Sequence, residues 1–99
     1  SRKDRRILGE EGFVSVVVVV DSQTGKVVSG PEIHARGFAE DDEVFKEVRP
    51  RIEQVLEKAA ADGISDRYQL QQLVRRAVGR WVNEKYRRRP MIVPLVVEA

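Results

Sequence analysis

The chain has 99 residues, of which 41% are hydrophobic and 34% are charged, and its formal net charge is +2 at pH 7. This length supports one hydrophobic core, so we expect a single domain with a charged exterior. The absence of cysteine excludes disulfides and thiolate metal sites, and the single histidine, His34, leaves most metal centres without enough ligands. No apolar run approaches the roughly 18 to 20 residues of a membrane helix, and the charged N-terminus lacks a signal-peptide core. We therefore expect a cytoplasmic protein that contacts no membrane.

The charges are unevenly distributed along the chain. Residues 40–62 contain eight acidic and four basic side chains, whereas residues 75–89 contain seven basic side chains and one acidic one. Such a basic segment is typical of a solvated helix end, where cations also favour the negative end of the helix dipole. It is also a candidate RNA contact, because arginine binds phosphate. The candidate RNA-contacting residues are Arg75, Arg76, Arg80, Arg87, Arg88 and Arg89.

Residues 1–11 show no sustained hydrophobic period and are predicted to be a linker, which leaves residues 12–99 as the domain. The first predicted strand begins at Gly12 and ends with five consecutive valines. The following segment, "DSQTGK", is typical of a turn, since its glycine, Gly25, tolerates a positive φ and its aspartate, Asp21, can accept backbone hydrogen bonds.

The second predicted strand covers Lys26–Phe38 and is interrupted by "GP". Because Pro31 cannot donate a ladder hydrogen bond, we expect an edge strand or a bulge at this point. A third strand, Met91–Val97, also contains a proline, Pro94. The valine-rich strand is therefore predicted to lie in the centre of a sheet with the order 2-1-3.

Two helices are predicted between the second and third strands. The first begins at Asp41 or Asp42 and ends at Gly63, and Pro50 is expected to kink or break it near Arg49. The second begins at Asp66, with Gln69 three residues later as in a capping box. Together these elements predict an α+β fold, a β-β-α-α-β two-layer sandwich in which both helices cover one face of a three-stranded mixed sheet.

Successive side chains of a strand point to opposite faces, so a run of valines makes both faces of the central strand apolar. Helices on one side leave the other face uncovered, and isolated domains rarely expose a contiguous apolar patch. A second copy of the chain is the commonest cover, and another domain of a longer protein is the main alternative. The residues predicted to form the interface of a homodimer, or of a tetramer, are Phe13, Ser15, Val17, Val19, Ile92 and Val96.

No catalytic constellation is recognisable in the sequence. His34 has no second histidine or cysteine to form a metal site, and the serines lack both a G-x-S-x-G motif and a nearby histidine. The acidic residues that follow Glu40 are better explained as a helix start than as a general acid–base pair. We therefore assign no catalytic residue, metal ligand or cofactor to this chain.

Three segments are informative when they are taken together: "GFVSVVVVVDSQTGKVVSGPEIHARGF", "GISDRYQLQQLVRRAVGRWVNEKYRRRP" and "MIVPLVVEA". As a set they resemble the C-terminal domain of bacterial ribonuclease J over residues 12–99. The resemblance implies a longer parent enzyme, a zinc-dependent ribonuclease of the metallo-β-lactamase type that cleaves RNA as a 5′-to-3′ exonuclease and also internally. The zinc ligands implied for such a parent lie upstream of this domain, so no residue here inherits a catalytic or zinc-binding role.

Two functions follow from this sequence reasoning. The first is a non-catalytic domain through which a ribonuclease J-like enzyme forms homo-oligomers, and the second is an RNA-contacting accessory module that uses residues 75–89. Concentration-dependent association without RNA would favour the first function, whereas salt-dependent RNA binding would favour the second.

Overall fold

The computed structural model describes residues 12–37 and 42–99, and the predicted linker, residues 1–11, lies outside them. The elements in chain order are strand β1 (Phe13–Val20), strand β2 (Val27–Arg36), a 3₁₀ turn (Asp42–Lys46), helix α1 (Arg49–Ala61), helix α2 (Arg67–Tyr86) and strand β3 (Met91–Glu98). The sheet has the order β2-β1-β3, with β1 antiparallel to β2 and parallel to β3. The predicted α+β fold and strand order are confirmed.

The β1–β2 turn forms as its residues predict. The Asp21 carboxylate accepts hydrogen bonds from the backbone N–H groups of Gln23 and Thr24 at 2.8 and 2.9 Å, and Gly25 has a φ of 76°. These bonds hold the pKa of Asp21 below its ordinary value, because the backbone donors stabilise the charged carboxylate. The turn is therefore determined locally.

Strand β2 is both an edge strand and irregular, as Pro31 predicts. Its pairing with β1 shifts between Glu32 and Ser29, and again between Ser29 and Val27. At the first shift Gly30 has a φ of 88°, and a Cβ there would lie 2.8 Å from the carbonyl oxygen of Val17. This β-bulge therefore requires glycine, for its backbone conformation and for the close approach of β1.

The first predicted helix is divided in two. The 3₁₀ turn Asp42–Lys46 precedes α1, which contains Pro50 in its first turn, where a missing N–H costs no helical hydrogen bond. The predicted break near Arg49 is thus confirmed, whereas Asp41 lies outside the described residues. Helix α2 begins as predicted, since the Asp66 carboxylate accepts a hydrogen bond from the Gln69 N–H at 2.9 Å.

The core lies between one face of the sheet and the two helices. Alternate β1 side chains are 0–1% exposed and pack against apolar side chains of both helices. Burying such a side chain contributes roughly 1.5–3 kcal/mol to the free energy of unfolding. The buried β1 residues are Val14, Val16, Val18 and Val20, and the largest helix residues beneath them are Ile52, Leu56, Leu70, Val74, Val78, Trp81 and Val82.

Candidate interaction surface

The face of the sheet opposite the helices is uncovered by any described element, and we call it the open face. Residues paired directly across two strands point to the same side of a sheet, so the register identifies its members. They form rows that cross the three strands in the order β2, β1, β3. The rows are Arg36, Phe13 and Met91; His34, Ser15 and Val93; Glu32, Val17 and Leu95; and Ser29, Val19 and Val97.

The open face is apolar on two strands and polar on the third. The β3 members are 40–47% exposed although all four are large and apolar, and the β1 members are half-buried between their neighbours. The β2 members are all exposed and polar. We call Glu32, His34 and Arg36 the polar stripe. An apolar surface with a polar margin is typical of a protein–protein interface.

Two of the predicted interface residues are placed on the wrong face. Ile92 and Val96 are 8% and 0% exposed and belong to the core beneath the helices. The reason is the parallel register, which pairs them with the core residues Val14 and Val18 rather than with the open-face residues of β1. The open-face residues of β3 are therefore Met91, Val93, Leu95 and Val97, whereas Phe13, Ser15, Val17 and Val19 lie on the open face as expected.

Both edges of the sheet contain features that hinder pairing with another strand. The backbone N–H groups of Met91 and Ala99 donate to the carbonyl oxygens of Gly12 and Val20, so the even-numbered residues of β3 direct their N–H groups to its outer edge. At that edge Pro94 has no N–H, and the N–H of Val96 donates to the side-chain oxygen of Gln71 in α2 at 3.2 Å. The opposite edge, β2, contains Pro31 and the bulge. Features of this kind protect natural sheets from edge-to-edge association, which leaves the open face as the available surface.

The arginines of the basic segment lie in three different places. Arg76 and Arg80 line a groove between the helices together with Arg51 of α1. Arg75 lies one helical turn after Gln71, on the side of α2 that meets the β3 edge.

The remaining arginines follow the end of α2. Arg87 terminates the helix with a φ of 56°, and the Arg88 guanidinium donates to the carbonyl oxygen of Gly37 at 3.4 Å. Arg89 precedes the buried residue Pro90 at the start of β3. The six candidate RNA-contacting residues therefore lie on α2 and on the segment that follows it, and their contact with RNA stays a prediction.

Three aromatic residues on the helix side, Phe45, Trp81 and Tyr86, pack together rather than forming a platform for bases. The Trp81 ring is 2% exposed and lies 6.0 Å from Phe45 and 5.8 Å from Tyr86, the latter in an edge-on arrangement. The Lys85 ammonium lies 5.6 Å from the Trp81 ring centroid and donates a hydrogen bond to Glu47. This bond is the main cause that lowers the pKa of Glu47 and raises that of Lys85.

The described residues contain no recognisable catalytic or metal-binding group. No group of three or more histidine, cysteine, aspartate or glutamate side chains among residues 12–37 and 42–99 could hold a metal ion. His34 is exposed on the open face beside Ser15, and no helix in the described part of the chain is long and apolar enough to span a membrane. This part of the chain therefore has no fitting set of ligands for a zinc ion and no residues that suggest a reaction step.

The described residues form a small α+β domain, a helix-backed sheet with one apolar face that no described element covers. The chain matches the family model "Ribonuclease J C-terminal domain" over residues 3–99, and it belongs to that family. It is 45% identical over 93 residues to ribonuclease J of Mycolicibacterium smegmatis, covering 94% of this chain and 17% of that protein. It is 32% identical over 99 residues to ribonuclease J2 of Bacillus subtilis, covering 97% of this chain and 18% of that protein. The predicted family is confirmed, and the chain spans less than a fifth of the length of these relatives.

Proposed function

We propose that this domain is a non-catalytic assembly module through which a ribonuclease J-like enzyme associates with a second copy of itself. The observation that supports the proposal is the open face. Seven apolar side chains on β1 and β3 form one continuous patch, and the described residues place nothing over it. Burying this patch would stabilise association by removing apolar surface from water.

The parent enzyme in this proposal is a zinc-dependent ribonuclease that acts as a 5′-to-3′ exonuclease and an endonuclease in RNA processing and decay. Its zinc and its catalytic residues would lie outside this chain, since the domain has one histidine and no cysteine. The domain would act on the reaction only indirectly, by holding two catalytic cores together.

A second candidate function is RNA contact through the groove between the helices. Arg51, Arg76 and Arg80 line it and would attract phosphates in a salt-dependent manner. Two observations weaken this candidate. Arg51 lies 3.5 Å from the Glu84 carboxylate, and the other candidate arginines lie elsewhere on the domain.

The proposal is tested by sedimentation velocity on the 99-residue chain over a range of concentrations, with the variants Leu95→Lys and Tyr68→Lys. Leu95 is 47% exposed in the monomer, so its replacement is tolerated by the fold but places an uncompensated charge within the proposed interface. We expect the unmodified chain to associate without RNA and Leu95→Lys to remain monomeric, weakening association by at least about a hundredfold.

Tyr68→Lys is the matched control, because Tyr68 is 67% exposed but lies at the start of α2, away from the open face. It should associate like the unmodified chain. Equal association of Leu95→Lys and the unmodified chain would reject the open face as the interface. A chain that stays monomeric at all concentrations would favour another domain of the parent as the cover, and association that requires RNA would favour the second candidate.

A further inference from the structure

The polar stripe contains two opposite charges that have no partner among residues 12–37 and 42–99. Glu32, His34 and Arg36 occupy alternate positions of β2 and lie directly across from Val17, Ser15 and Phe13. Among the described residues neither Glu32 nor Arg36 makes an ion pair or a side-chain hydrogen bond. They are four positions apart in an antiparallel strand, which is about 13 Å along β2. An acid and a base are therefore held at a fixed spacing beside an apolar surface.

Two identical faces that pack against each other are related by a twofold axis lying between them. If the axis runs along the strands, β2 of one copy lies over β3 of the other. Glu32 would then face Leu95, and Arg36 would face Met91. Burying either charge against an apolar side chain costs several kcal/mol.

If the axis runs across the strands, each strand lies over its own counterpart and runs in the opposite direction. The apolar strands β1 and β3 then pack on β1 and β3 of the second copy. The polar stripe of one copy then packs against the polar stripe of the other, running in the opposite direction. When the twofold axis passes close to His34, Glu32 of each copy comes near Arg36 of the other. This arrangement buries apolar surface against apolar surface and pairs both charges.

A third arrangement would overlap β1 and β3 alone and leave β2 at the margin. The area of the face argues against it. Three strands spaced about 4.8 Å apart and eight residues long outline a footprint of about 370 Å². Specific interfaces bury about 800 Å² per partner, so this footprint is already smaller than a standard interface and the assembly would need the whole face. Losing one strand would remove about a third of it.

From this self-complementarity we propose that two copies stack their open faces with antiparallel strands, and that reciprocal Glu32–Arg36 contacts between the copies set the orientation and register. The inference rests on the proposed self-association and adds the geometry of the assembly. Because the interface is twofold, each contact occurs twice, and a single substitution changes both. The charges act mainly on specificity, since a wrongly oriented dimer would leave them buried and unpaired.

The test reverses each charge, alone and together, in the 99-residue chain at low salt. Glu32→Arg places two arginines at each contact and Arg36→Glu places two glutamates there. We expect each single variant to weaken association by about tenfold or more, because like charges then meet twice in the dimer. The double variant Glu32→Arg/Arg36→Glu restores opposite charges at both contacts and should return within about threefold of the unmodified chain.

Mixing the two single variants gives a sharper result. A dimer formed by one Glu32→Arg copy and one Arg36→Glu copy has opposite charges at both contacts. We therefore expect the equimolar mixture to associate at concentrations where each variant alone is monomeric. A defect in the fold of either variant would not be corrected by mixing, so this experiment separates a contact between copies from a loss of stability.

The control exchanges two neighbouring exposed charges on α1, with Glu57→Arg, Lys58→Glu and their double variant, which should all associate like the unmodified chain. If the unmodified chain associates but the single reversals on β2 change nothing, or if mixing fails to restore association, the antiparallel pairing is wrong and the open-face interface stands. If the unmodified chain does not associate, both the proposed function and this inference are wrong.

Discussion

The two faces of the sheet are built from the same valine-rich strand but differ in what covers them. On the helix-covered face the β1 side chains are 0–1% exposed and lie beneath two helices. On the open face the paired β3 side chains are 40–47% exposed. The same amino-acid type therefore stabilises the fold on one side and remains available for association on the other. Hydrophobicity alone therefore does not determine which face is covered within the folded chain; the position of the helices does.

The largest expected effect comes from placing a charge on each face in turn. Val18→Lys buries an ammonium at a position that is 1% exposed and should lower the free energy of unfolding by at least about 3 kcal/mol, enough to unfold much of the protein. Val17→Lys introduces the same side chain one residue earlier, on the open face, and should cost about 1 kcal/mol or less. Circular dichroism during urea denaturation measures both values. If the two variants are equally unstable, the two faces do not differ as described.

A smaller effect is expected at the β3 edge. Gln71→Ala removes the acceptor of the Val96 N–H, and losing one partly buried hydrogen bond should cost about 1 kcal/mol, a decrease of about 4–8 °C in melting temperature. Gln72→Ala, the neighbouring substitution on α2, serves as the control. Association measured by sedimentation should be unchanged in both. Stronger association of Gln71→Ala would mean that the freed strand edge, rather than the open face, forms the contact.

The smallest effect concerns the Glu47–Lys85 pair on the helix side. The Lys85 hydrogen bond lowers the pKa of Glu47 below 4.5, so this group's contribution to stability is present above pH 4.5 and is lost as the pH falls through the lowered pKa. The raised pKa of Lys85 means that its contribution is present below pH 10.5 and is lost only at higher pH.

Glu47→Gln should therefore melt slightly below the unmodified chain at neutral pH, and the difference should shrink as the pH falls below 4. The exposed carboxylate Glu57, replaced by glutamine, provides the control for general effects of charge. Thermal denaturation in small pH steps measures the difference. A difference that grows on acidification would contradict the assigned direction of the Glu47 pKa.

Short-range features of this protein are predictable from its sequence. The Asp21 turn, the Asp66 cap, the break at Pro50 and the bulge at Pro31 each depend on residues within a few positions of one another. Their geometry follows from side chains that bond the nearby backbone or from prolines that cannot donate. The alternation of β1 also predicts two apolar faces, and the prolines of the outer strands predict the strand order.

The phase of β3, meaning which of its two alternating sets of side chains faces outward, is not predictable in the same way. Both of its alternating sets are apolar, and Glu98, the one charged residue of the strand, shares its parity with the core residues Ile92 and Val96. Glu98 therefore suggests that Ile92 and Val96 face outward, whereas both are buried. Which β3 side chains face outward is determined by the pairing of Met91 with Phe13, a contact between distant parts of the chain.

The strands, the helices, the strand order and the presence of a second apolar face could all be predicted from the sequence. They depend on the period of the side chains and on local backbone chemistry. The tertiary structure was needed to show which β3 residues lie on the open face and that Gln71 bonds the edge of β3. It was also needed to place the arginines of residues 75–89. It also decided that Glu32 and Arg36 border the apolar patch with no partner in the described part of the chain. A period of two fixes alternation but not phase, and phase is set by register between strands that are far apart in the chain.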